Sequence, residues 1–464
     1  LNTAEWRKET MGVDGNEKNE LLKDSRDAAG NKIVQKRISL LVDQGTFQEL
    51  DAFAKSGDHA AEAVTGFGYI NGCPAYLFAQ DGETDGGAMS KAQANKIRKI
   101  YELALKTGTP VVGIYDSIGG RLAEGGDMLA AYGEILRTSN NLSGVVPQIS
   151  VVLGPCIGTS ALIAAGADFV VMSEKAELTV ETSGENSSAE EAEKLGICHI
   201  LEKTEEDAIQ KARELIAALP QNNLEGAPAA DLLGDCSAEP LAEGADAYTV
   251  ISSIADDHTF LELSRNFGAS VVTGFARLRG LSAGIVALKD TIDADSCSKA
   301  ARFVRFCDAF SLPVVTLVNA KGFASLREAS KLSSTYSEAT TVKVTVVTGE
   351  SYGPVYIATA GRGANADITM AWASASVSPI SPAAAAMFQW NDRLAGSTDP
   401  IEDRKRLIEE YKTTQASPLS AAADGYIEDV ISPDETRDKV VRQLDMLSGK
   451  RVSTLPKKHS NIQL

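Results

Sequence analysis

The chain has 464 residues, 45 of them lysine or arginine against 63 acidic ones, for a net charge of −18. That length predicts two or three domains with a core large enough to fold without crosslinks. The acidic surplus argues against nucleic acid or an anionic membrane as main partner, so any anionic ligand needs a local site. Residues 1–24 are polar and mixed in charge, unlike a secretory signal or a transit peptide. No run of about 18 apolar residues occurs, so direct membrane insertion is not expected. The six cysteines never form CxxC, which reads as reduced, mostly structural thiols in a cytoplasmic protein. Four histidines stand far apart, so neither a metal site nor a histidine triad is expected.

Taken in order, Tyr76-Leu-Phe-Ala reads as a buried strand, and Ser90 to Thr107 as an amphipathic helix with Ile97, Ile100, Leu103 and Leu105 as its apolar residues. Val111-Val-Gly-Ile-Tyr and Ile149-Ser-Val-Val-Leu are further strands, each followed by glycine and then helix. Such runs spaced by helices imply parallel strands with crossovers. Asn222 to Glu243, rich in Ala, Gly, Pro and Asp, reads as a linker. A helix pair at 399–412 and 434–447 closes the second half, and the last residues read as a tail.

The second half repeats the first. Val64-Thr-Gly-Phe-Gly is answered by Val272-Thr-Gly-Phe-Ala, Ser90-Lys-Ala by Ser298-Lys-Ala, and Pro110-Val-Val-Gly by Pro313-Val-Val-Thr. Ile149-Ser-Val-Val-Leu-Gly matches Val344-Thr-Val-Val-Thr-Gly, and Gly166-Ala-Asp matches Asn365-Ala-Asp. Five blocks in one order imply homologous domains.

Two loops after strands are candidate ligand sites, Asp116 to Gly126 and Gly154 to Ala161. Amides at glycine turns and helix N-termini suit an oxyanion or a phosphate, while the plain alternative is tight strand-to-helix packing. Neither loop is a GxxxxGK[ST] phosphate loop or a GxGxxG, and Ser160 lacks the flanking glycines of a nucleophile elbow. Ser160 reads instead as a small helix-start residue, Arg121 and Glu124 as a local ion pair, and Cys156 and Cys307 as buried small hydrophobes. Asp85-Gly86-Gly87 is either a backbone ligand contact or a surface turn.

Arg37-Ile-Ser-Leu-Leu-Val-Asp-Gln-Gly-Thr-Phe, Phe78-Ala-Gln-Asp, Asp116-Ser-Ile-Gly-Gly-Arg, Ser143-Gly-Val-Val-Pro-Gln-Ile-Ser and Lys299-Ala-Ala-Arg-Phe-Val-Arg-Phe-Cys-Asp form a series. With Ala423-Asp-Gly-Tyr-Ile-Glu-Asp and the closing Pro-Lys-Lys-His-Ser-Asn-Ile-Gln-Leu, it resembles the carboxyltransferase subunits of biotin-dependent acyl-CoA carboxylases and decarboxylases. The resemblance runs from about residue 30 to the end. It implies an α/β chain of two tandem crotonase-like (ClpP/crotonase) domains, residues 1–230 on the acyl-CoA side and 231–464 on the biotin side. It also implies a homo-oligomer of facing domains, a hexamer, working with a biotin carrier protein and with a biotin carboxylase or membrane decarboxylase subunit. The substrates implied are a coenzyme A thioester and biotin carried on a partner, with no metal.

By that resemblance Gly158 and Thr159 form the thioester oxyanion hole, where the family commonly has Gly-Gly, and Gly353 and Val355 form the biotin-side hole. Gly119, Gly120, Arg121, Cys156, Ile157, Tyr356, Ile357, Gly322 and Phe323 are the implied substrate-binding residues. Ile357 stands where relatives select the acyl chain, and an apolar wall there favours a short apolar acyl group. The implied reaction moves CO2 between biotin N1 and the carbon alpha to the thioester, with backbone N–H groups holding both developing charges. One such donor is worth on the order of 3 kcal/mol in the transition state. The sequence departs from the family at Pro354, which has no N–H, at Lys321 to Glu328 and at Ala329 to Glu338. Two expectations follow: an active carboxyltransferase for propionyl- or methylmalonyl-CoA, or a non-catalytic acyl-CoA-binding or scaffold subunit with a degraded biotin site.

Overall fold

The computed structural model describes residues 32–461 except 58, 181–186, 231–234, 238–239, 362–365, 454–455 and 458–460. The readings of residues 1–24, of Asn365 and of most of the closing tail lie outside the described residues. The chain divides into two compact units, Leu1–Glu225 and Gly226–Leu464.

The strands of the first unit are β1 (Gln48–Leu50), β2 (Lys55–Ser56), β3 (His59–Ala60), β4 (Ala63–Ile70), β5 (Cys73–Gln80), β6 (Val111–Ser117), β7 (Gln148–Ile157), β8 (Phe169–Ser173), β9 (Glu177–Thr179) and β10 (Ile200–Glu202). Its helices are α1 (Ile33–Leu41), α2 (Lys91–Thr107), α3 (Gly126–Leu142), α4 (Thr159–Ala165), α5 (Ala189–Lys194) and α6 (Glu205–Ala218). The main sheet runs β1-β4-β5-β6-β7-β8-β10, with β9 paired to β7 beyond the end of β8. From β5 onward every pairing is parallel, while β1, β4 and β5 form an antiparallel start that the sequence reading did not anticipate. Val151, Val152, Val170 and Val171 are fully buried, as expected of parallel strands covered on both faces.

The second unit repeats this plan. Its strands are β11 (Leu261–Leu263), β12 (Val271–Leu278), β13 (Leu281–Ile292), β14 (Val314–Phe323), β15 (Lys343–Tyr352), β16 (Ile368–Trp372), β17 (Ser376–Ser378) and β18 (Asp429–Ile431). The helices are α7 (Ala247–Ile254), α8 (Ala294–Ala309), α9 (Leu326–Glu338), α10 (Pro382–Phe388), α11 (Asn391–Ala395), α12 (Pro400–Thr413), α13 (Pro418–Ala423) and α14 (Thr436–Leu447). Sheet order is β11-β12-β13-β14-β15-β16-β18, with β17 on β15. The repeat extends to single bonds. Asp168 accepts the Gln148 N–H that opens β7, and Asp367 accepts the Lys343 N–H that opens β15, each at 2.8 Å.

Three readings shift. Ser90 caps α2, but its counterpart is Asp293, which caps α8 through the Ser296 N–H at 2.8 Å; Ser298 lies inside that helix. Each cap stands 20 residues ahead of the matching proline, Pro110 or Pro313, so the two Ser-Lys-Ala blocks are not equivalent. On α2 the buried face is Ala94, Ile97, Ile100, Tyr101 and Ala104, while Leu105 is exposed. Residues 226–230, counted with the first domain from sequence, pack on the second: Pro228 accepts the Ser282 N–H at 2.8 Å and Ala229 bridges Leu281.

Candidate functional site

In the first unit β7 ends against β9, with Cys156 opposite Leu178 and Ile157 opposite Thr179. The chain then turns at Gly158, whose φ of 68° and ψ of −129° are open to glycine and strained for other residues. The Gly158 N–H goes to the Thr179 carbonyl at 2.8 Å, so it is already taken. Thr159 opens α4, and the N–H groups of Thr159, Ser160 and Ala161 have no carbonyl within the helix to accept them. They give this turn its partial positive charge. Of the two predicted donors, Gly158 is bonded within the sheet and Thr159 has no acceptor within its helix.

The neighbouring loop leaves β6 beside the same turn, since Ser117 pairs with Cys156. Gly119, at φ 114°, donates to Ser117 Oγ at 3.2 Å and accepts the Met89 N–H at 2.8 Å. A Cβ on Gly119 would lie 3.7 Å from the Ile157 carbonyl oxygen, so these two predicted residues are neighbours. Two other candidates turn elsewhere. Arg121 reaches Glu62 Oε1 and Ser56 Oγ, each at 2.5 Å, and also pairs with Asp85. Glu124, the partner expected from sequence, is 3.9 Å away. Cys156 is fully buried in the core, and burial pushes its thiol up.

Sequence reasoning missed two supports of this site. Tyr132 on α3 places its hydroxyl 3.0 Å from Ser160 Oγ, and nothing in a 28-residue separation announces that contact. Asp116, taken only as the start of a loop, is held by Arg37 at 2.6 Å, and Arg37 in turn holds Glu205 at 2.7 Å. Its carboxylate occupies the space that a Cβ at Gly82 or Gly154 would fill. The glycines around Asp116 are the signal that could have marked a half-buried carboxylate there.

The second unit builds the matching turn. Gly353, at φ 43°, donates to the Ser378 carbonyl at 3.0 Å, just as Gly158 donates to Thr179. A Cβ at Gly353 would come 2.6 Å from the Pro379 carbonyl oxygen, so the position admits little but glycine. Pro354 then opens the helical run that continues as a π-helical turn, Tyr356–Ala360. Pro354 occupies the place of Thr159 and has no N–H; the next donor is Val355. Tyr356 donates its hydroxyl to the Tyr426 carbonyl at 2.6 Å, and Ile357 is 60% exposed. Gly322 and Phe323 end β14 opposite Thr291 and Ile292, half-buried. The departing segment after them forms α9, where buried Glu328 accepts from Ser298 Oγ at 2.9 Å.

Compared with known proteins, the chain matches the carboxyl transferase domain model over residues 25–462. It belongs to that family. Carboxyl transferase relatives resemble it along nearly their whole length. It is 37% identical to a propionyl-CoA carboxylase beta chain of Saccharopolyspora erythraea, covering 94% of this chain and 91% of that protein. It is 33% identical to the alpha subunit of methylmalonyl-CoA decarboxylase from Propionigenium modestum, covering 94% of each. Among solved structures, transcarboxylase 12S, described as a hexamer with methylmalonyl-coenzyme A and methylmalonic acid bound, superposes with a TM-score of 0.89 at 32% identity. That match covers 97% of this chain and 99% of the other. The family is that of the biotin-dependent acyl-CoA carboxyltransferases, and the two sheets are its crotonase-like domains. Among the described residues, no helix is long and apolar enough to cross a membrane, and no group of three or more His, Cys, Asp or Glu could hold a metal.

Proposed function

We propose that this chain moves CO2 between carboxybiotin on a carrier protein and the alpha carbon of a short-chain acyl-CoA, with propionyl- and methylmalonyl-CoA as the favoured pair. The observation that carries the reading is the Thr159 turn: an N–H without a helical acceptor, on a rigid strand end, beside a glycine loop. Loss of the alpha proton, or of CO2 from methylmalonyl-CoA, builds charge on the thioester oxygen. The Thr159 N–H stabilises that oxygen, and Gly119 beside the turn puts no side chain in a thioester's way. Biotin, when presented by its carrier, would supply the nitrogen that gives up CO2 and takes the alpha proton, or exchanges them in the reverse direction. The residues toward it fit in part, because Gly353 is committed to Ser378, Pro354 donates nothing and Val355 remains. Partners on this reading are further copies of the chain, the biotin carrier protein, and a biotin carboxylase or membrane decarboxylase subunit.

The same asymmetry favours a second reading, an acyl-CoA-binding subunit whose biotin side has lost function. Exchange of labelled CO2 between methylmalonyl-CoA and free biotin, catalysed by the purified protein, separates the two. Exchange supports the carboxyltransferase. Tight binding of CoA esters without exchange supports the second reading.

A further inference from the structure

We propose that Tyr132 is a positioning residue for the first unit's turn, aiming the Thr159 N–H through its bond to Ser160. The proposal rests on the carboxyltransferase reading of that turn. Tyr132 is 4% exposed and Ser160 1% exposed, with 3.0 Å between their hydroxyl oxygens. So buried a pair cannot exchange its bond for water, and losing either partner leaves the other unsatisfied. Ser160 directly follows Thr159, so fixing its side chain fixes the first turn of α4. That helix has seven residues, too few to hold its own geometry by helical bonds alone.

The same ring also bears on the adjoining loop. A Cβ on Gly120 would come 3.1 Å from Tyr132 Cε2 and would collide with the Met128 sulfur. One aromatic side chain thus sets the spacing between the Gly119–Gly120 loop and the Thr159–Ser160 turn. Burial pushes the phenol up to about 12, so Tyr132 keeps its proton and acts by position, not by proton transfer. In the second unit the residue after Pro354 is Val355, which has no hydroxyl to hold, and the buried Tyr336 bonds Thr316 Oγ1 on β14 at 2.9 Å.

A donor held in place costs no reorganisation when charge appears on the oxygen, so the strut favours the charged state over the ground state. Calorimetric titration of the full-length protein tests this with two probes, propionyl-CoA and a nitronate analogue of its enolate. Tyr132→Phe and Ser160→Ala should each weaken the nitronate about five- to tenfold while propionyl-CoA changes by less than about twofold. The double variant should be no weaker than either single one, because both delete the same bond. Unchanged nitronate binding, equal weakening of both probes, or additive losses would each overturn the proposal. If the wild-type protein binds neither probe, the carboxyltransferase reading falls, and this proposal with it.

Discussion

Thr159 carries a backbone N–H that its counterpart Pro354 lacks, and the two halves of the proposed reaction diverge there. Both glycines ahead of them donate to a neighbouring strand, at 2.8 and 3.0 Å, so the first turn's donors begin at Thr159 and the second's only at Val355. Pro354→Gly should raise biotin-dependent CO2 exchange by about tenfold or more, since a single oxyanion donor is commonly worth a hundredfold. Unchanged turnover would make this proline only a helix start, a place where proline is well tolerated. Gly158 admits a separate test. A Cβ there meets nothing within 4 Å, so Gly158→Ala would carry only the conformational penalty of φ 68°. Chemical denaturation should show a loss of about 1–3 kcal/mol; a neutral result would mean that the turn relaxes to another geometry.

Among elements, the duplication was readable because strands buried on both faces repeat their apolar runs, and because Pro110 and Pro313 fix each strand's start. The two glycine turns were readable for a related reason: Gly158 and Gly353 sit at positive φ, which favours glycine. What stayed hidden depends on contacts between distant residues. Arg121 does pair with Glu124, at 3.9 Å, but its shorter bonds go to Glu62 and Asp85, 59 and 36 positions upstream. The Ser-Lys-Ala match misled because shared letters do not carry helix phase, whereas the caps Ser90 and Asp293 do. The mirrored strand starts yield a prediction. Asp168→Ala and Asp367→Ala should each destabilise the chain by about 1–3 kcal/mol in urea titrations, because each strips the acceptor from a strand's first N–H. Loss in only one would show that the repeat is no longer symmetrical in energy.

For the whole molecule, buried acids and bases set the response to alkali. Burial pushes the thiols of Cys198 and Cys297 up to about 12 and raises those of Cys156 and Cys307 as well. The folded pKa values lie above the unfolded ones, so this contribution is complete below about pH 8.5 and is lost as pH climbs toward the folded values. Buried Lys299 and Lys343, lowered to about 8 by burial, act in the opposite direction between about pH 8 and 10.5. The four thiols outweigh the two lysines, so the urea midpoint should fall between about pH 9 and 11. Cys297→Ala should flatten that fall, and a midpoint that rises would contradict the balance.

On the proposed mechanism a main-chain amide in the first unit does the work of an electrophile. Thr159→Pro removes that hydrogen and installs a Gly-Pro pair that the second unit already accommodates. Measured on the purified protein, CO2 exchange between methylmalonyl-CoA and biotin should fall at least about a hundredfold, with the dissociation constant for propionyl-CoA little changed. Exchange that persists at the wild-type rate in that variant would contradict the account.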